Sequence, residues 1–298
     1  MLHALGSAGW SAEEGEDVWE HRPPGKLPGP ASQRALLEWL QAELGAGDGD
    51  AVRLSYLCLR REPRLMLRAA ALPELRASRD TFAELCDMDD DMEDKLVRAL
   101  ARFPALLLTS GANLRASAEW LREVSELNSA QLARVLGEAP NLLLCQRAGI
   151  QARLDWLRAE LGIERGGRLS RVVCKAPLCL TLSIEKTMAP KVGFLRGLGV
   201  QEDELGKIVV SSPRLLQTPV AELDRKVQWL HMRRVAAPAP SRQVAALLRL
   251  HPDFFSLTPT RCQQIFDWLR NQGAAAPRVP SRRSVSQPLV RPPAKTSS

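Results

Sequence analysis

A proline set inside an apolar segment recurs six times along the chain at nearly constant spacing. One copy reads RVLGEAPNLLLC, residues 134–145, where the residues before Pro140 have the spacing of an amphipathic helix. Proline lacks the backbone N–H and clashes with the preceding turn, so it ends such a helix. Successive prolines of the set are 41, 36, 37, 36 and 39 residues apart. The set consists of Pro63, Pro104, Pro140, Pro177, Pro213 and Pro252.

An aromatic residue followed by leucine forms a second mark that keeps phase with the prolines. From Pro104 onward, the aromatic residue follows the proline by 16 or 17 positions. Two independent marks in phase indicate a repeat protein, in which each unit buries its apolar face only against its neighbours. The aromatic residues of this mark are Trp39, Trp120, Trp156, Phe194, Trp229 and Trp268. Trp120, Trp156, Trp229 and Trp268 lie within apolar stripes, so we expect their rings to be in the core.

The unit that ends at Pro140 predicts how each repeat is built. Residues 117–127 have apolar side chains at helical spacing, and Asn128 can cap a second helix over residues 129–139. The leucines after Pro140 are too few for another α-helix and suit a 3-10 turn packed beneath the pair. Because alternating strand patterns are absent, we predict an all-α fold.

The repeats predict a helical domain over residues 31–270, with disordered segments on both sides. Residues 1–30 are acidic and lack helical periodicity, whereas residues 271–298 are rich in Pro, Ser and Arg. No apolar stretch is long enough for a membrane-spanning helix, so we expect no membrane partner. Residues 1–30 are neither Arg-rich nor poor in acids, so they do not resemble a transit peptide.

The charge distribution favours a polyanion as the partner of the later two-thirds of the chain. Residues 101–270 carry 24 Lys and Arg against 15 Asp and Glu, whereas residues 1–100 are acidic. The six cysteines form no CxxC pair and stand within apolar runs, which predicts buried thiols. We find no catalytic motif, and we expect no enzymatic activity, no metal and no cofactor.

The P-x-L-L blocks, the W/F-L-R marks and the segment KVGFLRGLGV, residues 191–200, together resemble the mitochondrial transcription termination factor (mTERF) family. The resemblance covers roughly residues 31–270. It implies a curved α-solenoid of about six helical repeats. It also implies binding to organellar DNA or RNA through a basic groove, with effects on transcription or ribosome assembly.

Two rows of cations occupy equivalent positions in successive units. The Arg98 row stands six residues before the prolines, between apolar positions, and so points away from the core. Because neighbouring helices pack about 8–10 Å apart, each residue of the row would meet about every third phosphate of a DNA strand. Four further cations are candidates to supplement the Arg98 row at the nucleic-acid backbone: Arg64 and Arg214, which follow prolines directly, and Arg147 and Lys186, which begin inter-unit loops. The Arg98 row comprises Arg98, Arg134, Arg171 and Lys207; the Arg122 row comprises Arg122, Arg158, Arg196 and Arg270, with His231 in the gap.

The basic rows favour a nucleic-acid partner, and the resemblance to the mTERF family implies a protein that binds double-stranded DNA, with RNA as a second candidate, and regulates mitochondrial transcription, including termination. A plastid is the alternative location. The other candidate function is a helical scaffold that binds proteins of the transcription or mitoribosome machinery and acts in ribosome assembly or translation. The cationic rows could also be ordinary solvated helix faces. Tyr56 and Phe255 are the only rings that we consider for stacking on bases.

Overall fold

The structure is a computed structural model, and it describes residues 11–22, 24, 25, 27–44, 50–87, 93–163, 167–232 and scattered positions between 248 and 264. Within these ranges the regular elements are helices and no residue is in a strand, which confirms the all-α prediction. The chain divides into two compact units, Met1–Thr181 and Leu182–Ser298. None of the described helices is both long and apolar enough to span a membrane.

The longer helices come in pairs separated by short proline-led turns. The first unit contains α1 (Ala12–Glu20), α2 (Pro30–Leu44), α3 (Asp50–Arg61), α4 (Leu72–Leu85), α5 (Glu93–Arg102), α6 (Gly111–Val124), α7 (Ser129–Glu138), α8 (Arg147–Leu161) and α9 (Arg168–Lys175). The second contains α10 (Ala189–Gly197), which follows a π-helical turn at Ile184–Met188, and then α11 (Glu202–Ser211) and α12 (Val220–Met232).

Each described proline of the set begins or precedes a short helix, as the sequence predicts. Four of these are 3-10 helices, and each buries at least one leucine, although Leu144 is exposed; the turn after Pro104 is instead a single α-helical turn, Ala105–Leu108. Pro252 lies outside the described residues. The 3-10 helices are Pro63–Arg68, Pro140–Leu144, Pro177–Thr181 and Pro213–Leu216.

Within the first unit, the second helix of each pair packs beside its counterparts. Helices α3, α5, α7 and α9 contact one another in that order, and α1 contacts α3. The first helices lie against this row: α2 contacts α3 and α5, while α4 and α6 contact α7. The core between them consists of buried leucines and valines, including Leu114, Leu136 and Val172.

The pair before Pro140 confirms one predicted cap and corrects the position of an aromatic ring. Asn128 accepts a hydrogen bond from the Gln131 N–H, and the Gln131 side chain accepts one from the Asn128 N–H, which forms a capping box. The buried stripe of α6 runs through Leu114, Ala118 and Leu121. Trp120 is one position away from this stripe and only half-buried, so the prediction that it is a core residue was wrong.

Three of the other aromatic marks behave in the same way. Trp156, Phe194 and Trp229 are also half-buried, whereas Trp39 is buried. The leucine after each of Trp120, Trp156 and Phe194 occupies the core instead. Trp268 lies outside the described residues.

Helix α1 falls within residues 1–30, where the sequence predicts disorder. Ser11 accepts a hydrogen bond from the Glu14 N–H, and the Glu14 carboxylate accepts one from the Ser11 N–H. This capping box is readable in the text SAEE, and it satisfies two backbone donors at the start of the helix. Val18 is fully buried. Residues 12–20 therefore form a docked helix, and the disorder prediction is wrong there.

Helices α6 and α10 end in the same hydrogen-bonded motif with different residues at its left-handed position. Leu127 N–H donates to Arg122 O over 2.9 Å, and Val200 N–H donates to Leu195 O over 3.2 Å. The left-handed residue is Glu126 at φ 56° in the first case and Gly199 at φ 84° in the second. A side chain at such a φ costs about 1–2 kcal/mol, which glycine avoids.

We expect Glu126→Gly to stabilise the protein by about 0.5–1 kcal/mol, because relief of the backbone strain exceeds the extra entropy that glycine loses on folding. Gly199→Ala is the matched reverse change: no atom lies within 4 Å of the added Cβ, so its cost is that of the backbone alone. Urea denaturation of both variants measures the difference. A Glu126→Gly variant that is less stable than the wild type would contradict this interpretation.

Candidate nucleic-acid interface

Three adjacent second helices of the first unit present their cations to solvent. Each is amphipathic: in α9, for example, Leu169, Val172 and Val173 are fully buried, while Arg168 and Arg171 are exposed. Helix α7 lies between α5 and α9 and contacts both. The exposed cations of the three helices, here termed the cationic face, are Lys95, Arg98, Arg102, Arg134, Arg168, Arg171 and Lys175.

The cationic face consists of two stripes with a single arginine between them. In α5 and again in α9 the three cations are spaced i, i+3, i+7, so each stripe extends about 10 Å along its helix. Two helix spacings separate the stripes, or about 16–20 Å, and Arg134 on α7 lies between them. Among the exposed side chains that the structure describes on these helices, the one acid is Glu138.

The opposite layer has a different charge balance. On α4, α6 and α8 the exposed side chains include six acids and three cations. Positive charge is therefore concentrated on the second helices of the first unit. The acids are Glu74, Asp80, Glu84, Glu119, Glu123 and Asp155, and the cations are Arg76, Arg115 and Arg147.

The structure brings three of the four residues of the Arg98 row together. Arg98, Arg134 and Arg171 lie on the contacting helices α5, α7 and α9. Lys207 holds the same position in α11, but it belongs to the second unit and lies 3.5 Å from Asp203. The four supplementary residues are also exposed: Arg64 and Arg147 are in the first unit, and Lys186 and Arg214 are in the second.

Arg134 has a structural contact in addition to its exposure. Its Nη2 donates to the Cys174 carbonyl over 2.9 Å, and Arg61 Nη1 donates in the same way to the Ala101 carbonyl over 2.6 Å. Both carbonyls stand three residues before the next proline, among the last carbonyls of a helix, which lack an intrahelical partner. These arginines therefore link one second helix to the next.

Two of the supplementary residues are engaged locally. Arg64 pairs with both oxygens of Glu62 at 2.6 and 2.8 Å, and this contact raises the pKa of Arg64. The Arg147 guanidinium lies 5.5 Å from the centre of the Trp120 ring and donates to the Ala116 carbonyl over 3.0 Å. Both cations therefore have intramolecular partners that a nucleic acid would have to replace or share.

The Arg122 row pairs with carboxylates. Arg122 contacts Glu119 at 2.9 and 2.5 Å, Arg158 contacts Asp155 at 2.9 Å, and Arg196 contacts Glu202 at 2.6 and 2.9 Å. The arginine hydrogen bonds hold the pKa values of Glu119 and Glu202 below their usual range. Arg270 and the side chain of His231 lie outside the described residues. The described part of this row therefore has its charges largely compensated.

The two rings considered for base stacking are occupied within the fold. Phe255 is fully buried. The Tyr56 hydroxyl donates to Asp17 over 2.6 Å, and that hydrogen bond raises the pKa of Tyr56. Burial leaves no face of Phe255 open to a base, whereas Tyr56 is half-buried with its hydroxyl bound to Asp17.

Sequence reasoning missed four members of the cationic face: Lys95, Arg102, Arg168 and Lys175. The signal was available, because each stands three or four residues from Arg98 or Arg171 and so shares the same helix face. The text KLVRALAR and RLSRVVCK each repeats cations at that spacing.

The thiols and acids of the described residues offer no separate site. Cys58, Cys86 and Cys179 are buried, and burial raises the pKa of each thiol to about 12. Among the side chains that the structure describes, no group of three or more His, Cys, Asp or Glu stands together as a metal-binding set.

Comparison with known proteins adds one finding. Residues 139–258 match the family model of mTERF, a range that contains Pro140, Pro177, Pro213 and Pro252. No sequence of a curated protein matches the chain significantly.

Proposed function

From the match of residues 139–258 to the family model of mTERF, we propose that the chain is a member of this family, that it binds double-stranded nucleic acid and that it regulates organellar transcription, including termination. DNA in mitochondria is the proposed target, with RNA and plastids as the alternatives. The chain acts as a binding protein without enzymatic activity. Its helical pairs form a curved α-solenoid of about six repeats.

The cationic face is the observation that carries this proposal. Among the side chains that the structure describes on these three contacting helices, seven exposed cations stand beside one exposed acid, whereas the described side chains of α4, α6 and α8 include more exposed acids than exposed cations. A phosphate backbone is the polyanion that such a surface suits, because one strand carries a charge about every 3.4 Å along the axis, so each helix spacing of about 8–10 Å spans about three phosphates. Lys and Arg side chains that contact phosphates, and not base edges, give binding that depends on charge and shape more than on sequence.

Titration with three nucleic acids tests the proposal. Duplex DNA, duplex RNA and single-stranded RNA of one sequence are titrated into the protein at 50 and 200 mM salt, and fluorescence anisotropy reports binding. We expect the tightest binding to a duplex, with affinity falling steeply as salt rises. No measurable binding at 50 mM salt to any of the three would overturn the proposal.

A protein-binding scaffold in ribosome assembly or translation is the second candidate. The six exposed acids on α4, α6 and α8 favour it, since they would suit a basic ribosomal protein. Weak, salt-insensitive binding to nucleic acid, together with capture of a basic protein that Glu84→Gln, Glu119→Gln and Glu123→Gln abolish, would favour this candidate over the first.

A further inference from the structure

Helix α1 is the most acidic element of the first unit. Over Ala12–Glu20 it carries five acids, and it has no Lys or Arg. Glu13, Glu16 and Glu20 are exposed, whereas Glu14 and Asp17 are half-buried. The capping box at Ser11 and the buried side chain of Val18 hold this helix in place.

Asp17 joins α1 to Arg60 and Tyr56 of the neighbouring helix α3. Its Oδ2 lies 2.9 Å from Arg60 Nε and accepts a hydrogen bond from the Tyr56 hydroxyl over 2.6 Å. The Arg60 guanidinium also lies 6.0 Å from the centre of the Tyr56 ring. Arg60 remains about half exposed, so it lies at the surface while its charge is compensated by Asp17.

Helix α3 connects α1 to the cationic face. It exposes Arg53, Arg60 and Arg61, and Arg61 reaches the Ala101 carbonyl of α5. The helices therefore follow the spatial order α1, α3, α5, α7, α9, with an acidic helix at one end and the cationic face beyond α3. One helix spacing of about 8–10 Å is close to the Debye length at 0.1 M salt, so the acids of α1 act mainly on α3.

We propose that α1 is a built-in competitor of the nucleic acid. Through Asp17 it pairs with Arg60, and its other acids place negative charge beside α3. The nucleic-acid backbone is therefore bound no further than α5, and the affinity of the whole chain for nucleic acid is lowered. A duplex that extended to α3 would have to displace Asp17 from Arg60. This inference rests on the proposed function, because it concerns the same ligand at the same row of helices.

Neutralisation of the exposed acids of α1 tests the inference in the full chain. The variant Glu13→Gln, Glu16→Gln, Glu20→Gln leaves Asp17, Val18 and the capping box intact. We expect it to bind duplex DNA about 3- to 10-fold more tightly than the wild type at 50 mM salt, with the difference shrinking at 200 mM. The control Glu84→Gln, Glu119→Gln, Glu123→Gln changes the net charge equally on the first helices, and it should bind like the wild type.

A double-mutant cycle tests whether Asp17 withholds Arg60 from the ligand. In the wild type, Arg60→Gln should change the affinity less than 2-fold. In an Asp17→Asn background, the same change should weaken binding about 3-fold or more, since Arg60 is then available to a phosphate. Circular dichroism of each variant establishes that the fold is retained.

Three results would overturn the inference. Equal tightening by the α1 variant and its control would show an effect of net charge alone. Unchanged affinity in the α1 variant, with a wild type that binds, would remove the competitor role and leave the proposed function standing. Absence of binding by every protein, the α1 variant included, would overturn the proposed function and this inference together.

Discussion

Changing Arg98, Arg102, Arg171 and Lys175 together to Gln is expected to weaken binding to duplex DNA at 50 mM salt by about 100-fold or more. The four residues lie on both stripes of the cationic face, and glutamine retains much of their length while removing the charge. A duplex that contacts both stripes releases counterions at each phosphate that these cations neutralise. The loss should therefore be electrostatic and not depend on the DNA sequence.

The salt dependence separates this effect from a general loss of affinity. Each phosphate contact contributes about 0.9 to the slope of log affinity against log salt, so four lost contacts should reduce the slope by about 3 to 4. The matched control is Arg34, Arg76, Arg115 and Arg122 changed to Gln, which removes the same charge from first helices. Equal losses in both variants, or an unchanged slope in the first, would show that the cationic face is not the interface.

Two lysines of the second unit are buried and donate to backbone carbonyls, so their loss should strongly lower its stability. Lys226 is 6% exposed; its ammonium donates to the Phe255 carbonyl over 2.6 Å and lies 2.9 Å from Glu222. Lys191 is 3% exposed and donates to the Leu216 carbonyl, and its burial lowers its pKa. Each stands three residues before the aromatic mark and reaches the third residue after a proline of the set, so the two contacts are equivalent.

We expect Lys191→Met and Lys226→Met each to cost about 2 kcal/mol of stability, because a buried carbonyl loses a charged donor that methionine cannot replace. Native-state hydrogen exchange should show faster opening of α10 and α12, by about 30-fold at 2 kcal/mol. Lys207→Met is the control, since the Lys207 side chain is 71% exposed and the change should stay within about 0.5 kcal/mol. A stability loss in the control as large as in the two variants would refute a specific role for the buried contacts.

The repeat architecture could be predicted because it depends on backbone chemistry. Proline ends a helix wherever it occurs within one, and Asn128 caps α7 through contacts that span only three residues. Local rules of this kind can be applied to the sequence without knowing which helices pack against each other. The capping box of α1 obeys the same rule, because Ser11 and Glu14 are also only three residues apart.

Such local rules do not predict which distant residue a side chain contacts. Helical spacing places Trp120 near the apolar stripe, but only the position of α8 shows that Arg147 covers its ring. Spacing likewise places Arg134 at the surface without revealing that the Cys174 carbonyl, 40 residues away, accepts its hydrogen bond. Contacts between repeats depend on the angle by which each repeat is rotated relative to the preceding one, and no pattern in a single sequence reveals that angle.

The arginine-to-carbonyl links of α3 and α7 have a consequence for how the scaffold responds to ionic strength. Ala101 and Cys174 offer neutral acceptors to Arg61 and Arg134, so these links depend on short-range hydrogen bonding that dissolved ions screen little. A phosphate held by Arg134 would be attracted over a longer range and released as ions accumulate. Salt would thus detach the nucleic acid while the helices remain joined, which leaves the protein folded and ready to bind again.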